Sequence, residues 1–202
     1  MTIEISKLSK EKPYSVFKNY YDLAVKKNQK HVEAITISSF DKGIDEVQSR
    51  IVNLKYVIND EWIFFSNYLS PKSVSFNSHN QISAILYWSS INTQIRIKAK
   101  IKKTSSSFSD EHFRSRSKEK NLLAISSKQS KKISSYEAVL NNYDNVLKNY
   151  KDCEASERPS YWGGFSFTPY YFEYWEGNDY RINKREVFDK IDSIWKHSFL
   201  QP

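Results

Sequence analysis

The chain has 202 residues, a net charge of +8 and a pI near 9.3, with 39% hydrophobic and 15% aromatic residues. That length accommodates one domain with a substantial core. A single cysteine, Cys153, excludes an internal disulfide framework, and no run of about eighteen apolar residues offers a membrane span.

The N-terminal MTIEISKLSKEKPYSVF has no apolar segment of a secretory kind, so a cytoplasmic protein is expected, with residues 1–13 as a flexible arm on a single domain covering 1–202. Lysines are spread along the chain without zinc spacing, a helix-turn-helix signal or an aromatic RNA-binding motif. Nucleic acid is therefore not the expected partner, and local positive charge fits a small phosphorylated ligand.

Residues 13–28 predict a helix, with Pro13 at its start and Phe17, Tyr20, Tyr21 and Ala24 at helical spacing. Residues 31–40 read as a strand, 41–46 with Gly43 as a turn, and 49–57, 62–67 and 82–88 as further strands. The last of these is nearly all apolar, which predicts burial on both faces. In QIRIKAKIKK, Ile95, Ile97, Ala99 and Ile101 alternate with Gln94, Arg96, Lys98, Lys100 and Lys102, giving one core face and one polar face.

Helices are predicted at 109–116, near 121 and at 135–151. Ser134 and Glu137 would form a capping box on the long helix, whose stripe includes Tyr136, Leu140, Tyr143 and Leu147. Aromatic-rich strands around 163–175 and a final segment through Trp195 end the chain. Three of the four glycines lie between 158 and 177, and the Gly163–Gly164 pair predicts a tight bend or bulge between strands. Segregated strands and helices indicate an α+β fold, mainly antiparallel, with peripheral helices. His31, His79 and His197 share no metal-ligand spacing, and no metal is expected.

Several motifs stand in a fixed order: RIVNLK (50–55), FFSNYLSPK (64–72), KQS (128–130), WGGF (162–165), and FEYW (172–175) followed by Arg181 and Arg185. Together they resemble the signature of the pyridoxine (pyridoxamine) 5′-phosphate oxidase family, from about residue 14 to 202. The resemblance implies a split β-barrel that binds FMN, in a homodimer with its flavin sites at the subunit interface.

On that resemblance Arg50 and Lys72 hold the flavin phosphate, Ser66 adds a hydroxyl, and Ile51, Val52, Asn53, Leu54, Lys55 and Phe65 belong to the flavin site. Gln94 bonds the flavin ring, and a second subunit contributes Gln129, Ser130, Trp175 and Arg185. Lys55, His112, Arg116 and Lys120 surround the substrate phosphate, while Arg181 and Asn183 face the pyridine ring as the catalytic pair. The implied reaction passes a hydride from C4′ of pyridoxamine or pyridoxine 5′-phosphate to flavin N5, with dioxygen as final acceptor.

The chain departs from the family pattern at four places. His112 stands for tyrosine, Lys120 for serine, Pro71 for the arginine of S-R-K, and Asn183 for the histidine of R-L-H; a ligand-closing N-terminal segment is also missing from the pattern. These departures keep two alternatives open. One is an FMN-binding split-barrel oxidoreductase for another substrate; the other is a non-catalytic flavin or pyridoxal-phosphate binding protein.

Overall fold

In the computed structural model, which describes residues 2–202, one mixed sheet of ten strands carries the fold and five helices lie around it. The chain runs β1 (Glu4–Ser6), α1 (Lys12–Lys26), β2 (Ala34–Asp41), β3 (Glu46–Asn53), β4 (Tyr56–Ile58), β5 (Glu61–Asn67), α2 (Pro71–Ser78), β6 (Gln81–Trp88) and β7 (Thr93–Lys103). Then follow α3 (Ser106–Ser115), α4 (Lys118–Ser126), α5 (Tyr136–Asn149), β8 (Trp162–Glu176), β9 (Lys184–Ile191) and β10 (Ile194–Phe199). None of the helices among the described residues is long and apolar enough to cross a membrane.

The strand order is β1-β4-β5-β8-β7-β6-β2-β3, and β9 and β10 branch from β8. Every pairing is antiparallel except β1 with β4. The sheet does not close: among the described residues β3 pairs only with β2, so its outer edge keeps a row of unpaired backbone groups. This is the α+β, mainly antiparallel, split-barrel arrangement expected from the sequence.

β8 ties the two ends of the molecule together. Its first half pairs β5 and its second half pairs β9, while β7 follows it from Phe165 to Glu176. The switch comes at a register shift where Lys98 faces Tyr171 and Ala99 faces Pro169, leaving Tyr170 as the extra residue. Pro169 has no amide to give the ladder, which suits it to a bulge.

The glycine pair does not make that bend. Gly163 and Gly164 lie in unbroken strand opposite Ser66 and Phe65, and neither has a positive φ. A Cβ on Gly163 would strike the Tyr68 ring, and one on Gly164 would come within 2.5 Å of Thr104 Oγ1. The glycines serve close packing of a helix and a loop over the strand, not a turn.

The core lies between the sheet and α1. Tyr14, Phe17, Tyr21 and Ala24 of α1 are buried, with the Phe17 ring 4.4 Å from Trp62 and Tyr14 edge-on to Phe172 at 5.4 Å. The Tyr174 hydroxyl donates to the Pro13 carbonyl at 2.7 Å, tying the helix start to β8. In β7 the alternation holds, with Ile95, Ile97, Ala99 and Ile101 all in the core.

Other expectations need correction. β6 is buried on one face only, with Ser83 and Tyr87 outward, because no layer covers that side of the sheet. The expected arm is anchored instead: Ile3 is buried, its backbone bonds the Tyr21 hydroxyl, and residues 4–6 pair with β4. Ser135, not Ser134, caps α5, its hydroxyl accepting from the Ala138 amide at 3.1 Å. None of the α5 stripe is buried within the chain. Helix α2 has no apolar period to announce it and is started by Pro71 after Ser70.

Candidate functional site

The gap between the open edge of β3 and the far strand β5 holds a cavity of about 660 Å³, roofed by α3 and α4. This lies within the roughly 300–1,000 Å³ typical of ligand sites. β3 supplies Ile51, Val52 and Asn53; β5 supplies Phe65, Ser66 and Asn67; α2 sends in Lys72. From the α3–α4 side come His112, Ser115, Arg116, Ser117, Lys120, Leu123 and Ala124, with Lys55, Ser127, Gln129 and Trp162 completing the wall.

The charge of this wall is one-sided. Lys55, Lys72, Arg116 and Lys120 line it, and among the described residues no aspartate or glutamate does. Lys72 is 8% exposed, and its Nζ donates only to the hydroxyls of Ser66 and Ser70, at 3.2 and 3.3 Å. Burial, reinforced by Arg50, pulls its pKa down to about 8. Burial also lowers Arg116 to about 10, and lowers Arg50 and Lys55, the latter against the pull of Glu33 and helped by Lys120 and Arg116.

His112 is pushed down to about 4 by burial first, then by Arg116 and Lys55. Lys72 and Arg116, in a half-dry pocket whose wall has no carboxylate among the described residues, are charges whose burial costs free energy. The buried Nη1 of Arg116 has no partner among the described residues, while its Nη2 donates to the Lys120 carbonyl at 2.8 Å.

Aromatic rings give the cavity its floor. Phe65 stacks on His112 with centroids 3.6 Å apart and planes 11° from parallel, and on Trp162 at 5.3 Å and 12°. The Arg116 guanidinium lies 4.4 Å from the Trp162 ring. The Tyr56 hydroxyl and His112 Nδ1 are 2.8 Å apart. Gly163 and Gly164 follow Trp162 in the same strand, so the close packing they allow seats this stack.

Of the residues expected at a site, the fold brings together Ile51, Val52, Asn53, Lys55, Phe65, Ser66, Lys72, His112, Arg116, Lys120 and Gln129. Gln129, expected from a partner, is engaged within its own chain: its Oε1 accepts from Ser66 Oγ at 3.1 Å and the Asn67 amide at 3.2 Å. Leu54 is wholly buried and its amide donates to the Glu33 carbonyl, so it supports the strand from behind. Arg50 donates to the Ile37 carbonyl and Ser39 Oγ outside the cavity wall, although its charge reaches Lys72. Tyr56 carried no motif signal, while Asn67 and Trp162 stood inside the FFSNYLSPK and WGGF motifs without being assigned to the site.

The remaining residues gather elsewhere. Gln94, Trp175 and Arg185 face one another across β7, β8 and β9 in one register row. Arg185 holds Glu173 through Nε at 2.9 Å and Nη2 at 2.7 Å, and Arg96 holds the same carboxylate at 2.8 Å. Arg181 has φ 60° in the turn before β9, and Asn183 Oδ1 accepts from the Asn178 amide at 3.0 Å. Ser130 lines a different hollow, against α5. Trp175 follows the cavity's Trp162 by 13 residues of one strand, some 40 Å of strand path at about 3.3 Å per residue.

Residues 162–202 match the family described as "Pyridoxine 5′-phosphate oxidase C-terminal dimerisation region". A pyridoxine/pyridoxamine 5′-phosphate oxidase of Christiangramia forsetii is 34% identical over 191 residues, covering 94% of this chain and 88% of that protein. One from Legionella pneumophila is 30% identical over 202 residues, covering 99% and 93%. The solved structure of PhzG from Burkholderia lata, in complex with tetrahydrophenazine-1-carboxylic acid, superposes with a TM-score of 0.87 at 21% identity, over 95% of this chain and 93% of that one.

A pyridoxamine 5′-phosphate oxidase-related, FMN-binding protein from Nostoc punctiforme superposes at 0.73 with 11% identity, over 92% and 97%. The fold is thus the one these proteins share, and the sequence kinship is nearly full-length. The chain belongs to the pyridoxine/pyridoxamine 5′-phosphate oxidase family.

Proposed function

We propose that this chain is an FMN-dependent oxidase that converts pyridoxamine or pyridoxine 5′-phosphate to pyridoxal 5′-phosphate. The observation that carries the reading is the cavity lined by Lys72, Arg116 and Lys120, with no aspartate or glutamate in its wall among the described residues, beside the open edge of β3. Two phosphate groups, one from the flavin and one from the substrate, suit a wall with cations at both ends.

FMN fits the donors present. Lys72, Ser66 and the nearby Arg50 would hold its phosphate, since a buried ammonium bonded only to hydroxyls is relieved by a dianion. The backbone of 51–53 on the unpaired edge would face the ring, and Ile51, 70% exposed in the single chain, would be covered by it. The chemistry FMN supplies when bound is acceptance of hydride from C4′ at N5, then reoxidation by dioxygen with release of hydrogen peroxide.

Lys55, His112, Arg116 and Lys120 would grip the substrate phosphate and so fix the distance from the anchor to the reacting carbon. Depressed cation pKa values in the free cavity mean that binding the dianion restores these groups toward their usual strength.

Gln94, Ser130, Trp175, Arg181, Asn183 and Arg185 would come from a second copy of the chain. Support comes from the strand path separating Trp175 from the cavity, and from the dimerisation region matched at 162–202. Ile182, Ile194 and Phe199 stand exposed in that same region. Arg181 and Asn183 would then face the pyridine ring from across the seam, in a homodimer of single-domain protomers.

The test is direct. Purified protein given FMN and pyridoxamine 5′-phosphate in air should yield pyridoxal 5′-phosphate and peroxide in equal amounts. No product at saturating flavin rejects the oxidase reading.

A second reading, the same flavin chemistry on another substrate, is favoured by Asn183, whose acceptor is already committed to the Asn178 amide. Asn183→His separates the two. A large gain in turnover with pyridoxamine 5′-phosphate supports the first reading; no gain, with a flavin reducible by another donor, supports the second.

A further inference from the structure

One contact in the cavity is not part of the family pattern: the pairing of Tyr56 with His112. The imidazole is held by its face against Phe65, at 3.6 Å between centroids, and lies parallel to Trp162 within 7°. That stack fixes the ring plane. Within the plane, Nδ1 meets the Tyr56 hydroxyl at 2.8 Å, and Nε2 has no hydrogen-bond partner among the described residues. The two ring nitrogens diverge, so a ring pinned at Nδ1 offers its other nitrogen away from Tyr56.

The charges around this ring decide its free state. Arg116 just beyond α3 and Lys55 between β3 and β4 both oppose a proton on it; at Lys55, Lys120 on α4 adds to the positive field and Glu33 opposes it. On α3 itself, Asp110 is engaged by Arg158 at 2.6 Å. Glu111 of α3 and Glu4 of β1 act on Tyr56, whose hydroxyl they and burial keep protonated. β5 and β8 bring only the rings of Phe65 and Trp162. A neutral imidazole beside a protonated phenol accepts at Nδ1, because the unprotonated ring nitrogen is the stronger acceptor of the two.

We propose that Tyr56 and His112 form a proton-linked phosphate sensor: Tyr56 donates to Nδ1 in the free protein, fixing the ring proton on Nε2, and an arriving phosphate dianion draws a second proton onto Nδ1. The proton comes from solvent, one per site. Tyr56 then turns from donor to acceptor, and His112 becomes a cation bound to the phosphate through Nε2–H. No bond other than these hydrogen bonds changes. The consequence is selectivity for the dianion and a ligand affinity that falls as pH rises. The inference rests on reading this cavity as the substrate-phosphate subsite.

The experiment is calorimetric binding of pyridoxamine 5′-phosphate to the FMN-loaded protein at pH 7, in two buffers of different ionisation heat. The wild type should take up a substantial fraction of a proton per site, and His112→Phe should bind roughly ten-fold more weakly with that uptake gone. His112→Tyr provides the same comparison with a residue that keeps a hydroxyl.

Nitrogen-15 labelling of histidine in the wild type and Tyr56→Phe gives a second readout. The free wild type should show the Nε2–H tautomer, the Phe variant a mixture, and the ligand-bound wild type a doubly protonated ring. Equal proton uptake by wild type and both His112 variants, or a free ring protonated on Nδ1, overturns the sensor and leaves the subsite standing. Failure of pyridoxamine 5′-phosphate to bind the wild type, or binding indifferent to Arg116→Ala, overturns the subsite reading itself.

Discussion

The cavity beside β3 and the β7–β8–β9 row at the other end of β8 carry the same kinds of residue in opposite electrostatic states. In the cavity, Lys72 and Arg116 sit without carboxylates and their pKa values are depressed. In the row, Arg185 and Arg96 share the buried carboxylate of Glu173, and Lys184 pairs with Glu176 at 2.8 Å. One end of the chain gathers cations without carboxylates in the cavity wall, and the other is internally neutralised. A crowded cationic surface is costly, and on the proposed function this contrast separates the end that binds from the end that positions.

Breaking the contrast by mixing chains should have the largest effect. Arg116→Ala removes a buried charge-assisted contact and should raise the KM for pyridoxamine 5′-phosphate about 100-fold, equivalent to 2–3 kcal/mol. Arg185→Ala should lose activity through the other end. If each site takes its cavity from one copy and its row from the other, refolding an equal mixture of the two variants should recover about one quarter of wild-type activity. Half of the dimers are then mixed, and each of these has one intact site. No recovery would place both ends of a site in one chain.

Lys72→Met sharpens the same contrast with two effects of opposite sign. Flavin affinity should fall about 30-fold, read by fluorescence titration, while the flavin-free protein gains about 1 kcal/mol in urea unfolding because a repelled cation is gone. The sign follows from the pKa lowered to about 8: the cost is fully present below that pH and disappears as pH rises toward the unfolded value of 10.5. Loss of stability in the flavin-free variant contradicts the picture of an unsatisfied cation.

Gly164→Val examines the seat of the aromatic stack. Its Cβ would meet Thr104 Oγ1 at 2.5 Å and Cγ2 at 2.9 Å, so about 2 kcal/mol of stability should be lost in chemical denaturation. If the glycine pair were a hinge, the same change would act through backbone conformation; its φ is not positive, so packing is the expected cause.

The smallest effect concerns acid. His112 is held neutral by a pKa lowered from 6.5 to about 4, so the unfolded chain binds a proton that the folded chain refuses between those values. Stability should therefore decline as pH falls through that window, and His112→Phe should flatten the decline by about 1–2 kcal/mol. Thermal unfolding from pH 7 to pH 4 with and without the substitution measures it.

Motif order made much of the site legible before the fold was known, because the motifs name side chains that meet a common ligand. Lys55, Lys72 and the His112–Arg116 pair come from three separate stretches and converge on one cavity. Less legible were roles that depend on who the neighbour is. Gln129 belongs to its own chain's wall because the segment after α4 folds back on Ser66 and Asn67. Leu54 sits among motif residues yet faces the core, since it continues the inward phase of Arg50 and Val52 along β3. Tyr56 had no sequence signal of its own, as one tyrosine within an expected strand is ordinarily a packing residue.

The sequence by itself determined the faces of strands with clean alternation and the helices with strong periodicity, because side-chain alternation and helical spacing are local properties of the chain. β7 and α1 are of that kind. Only the tertiary structure decided that Gly163 and Gly164 lie in straight strand, that α5 keeps its apolar stripe uncovered, and that residues 4–6 join the sheet. Those outcomes depend on which distant atoms come within van der Waals reach, and no local pattern encodes that distance.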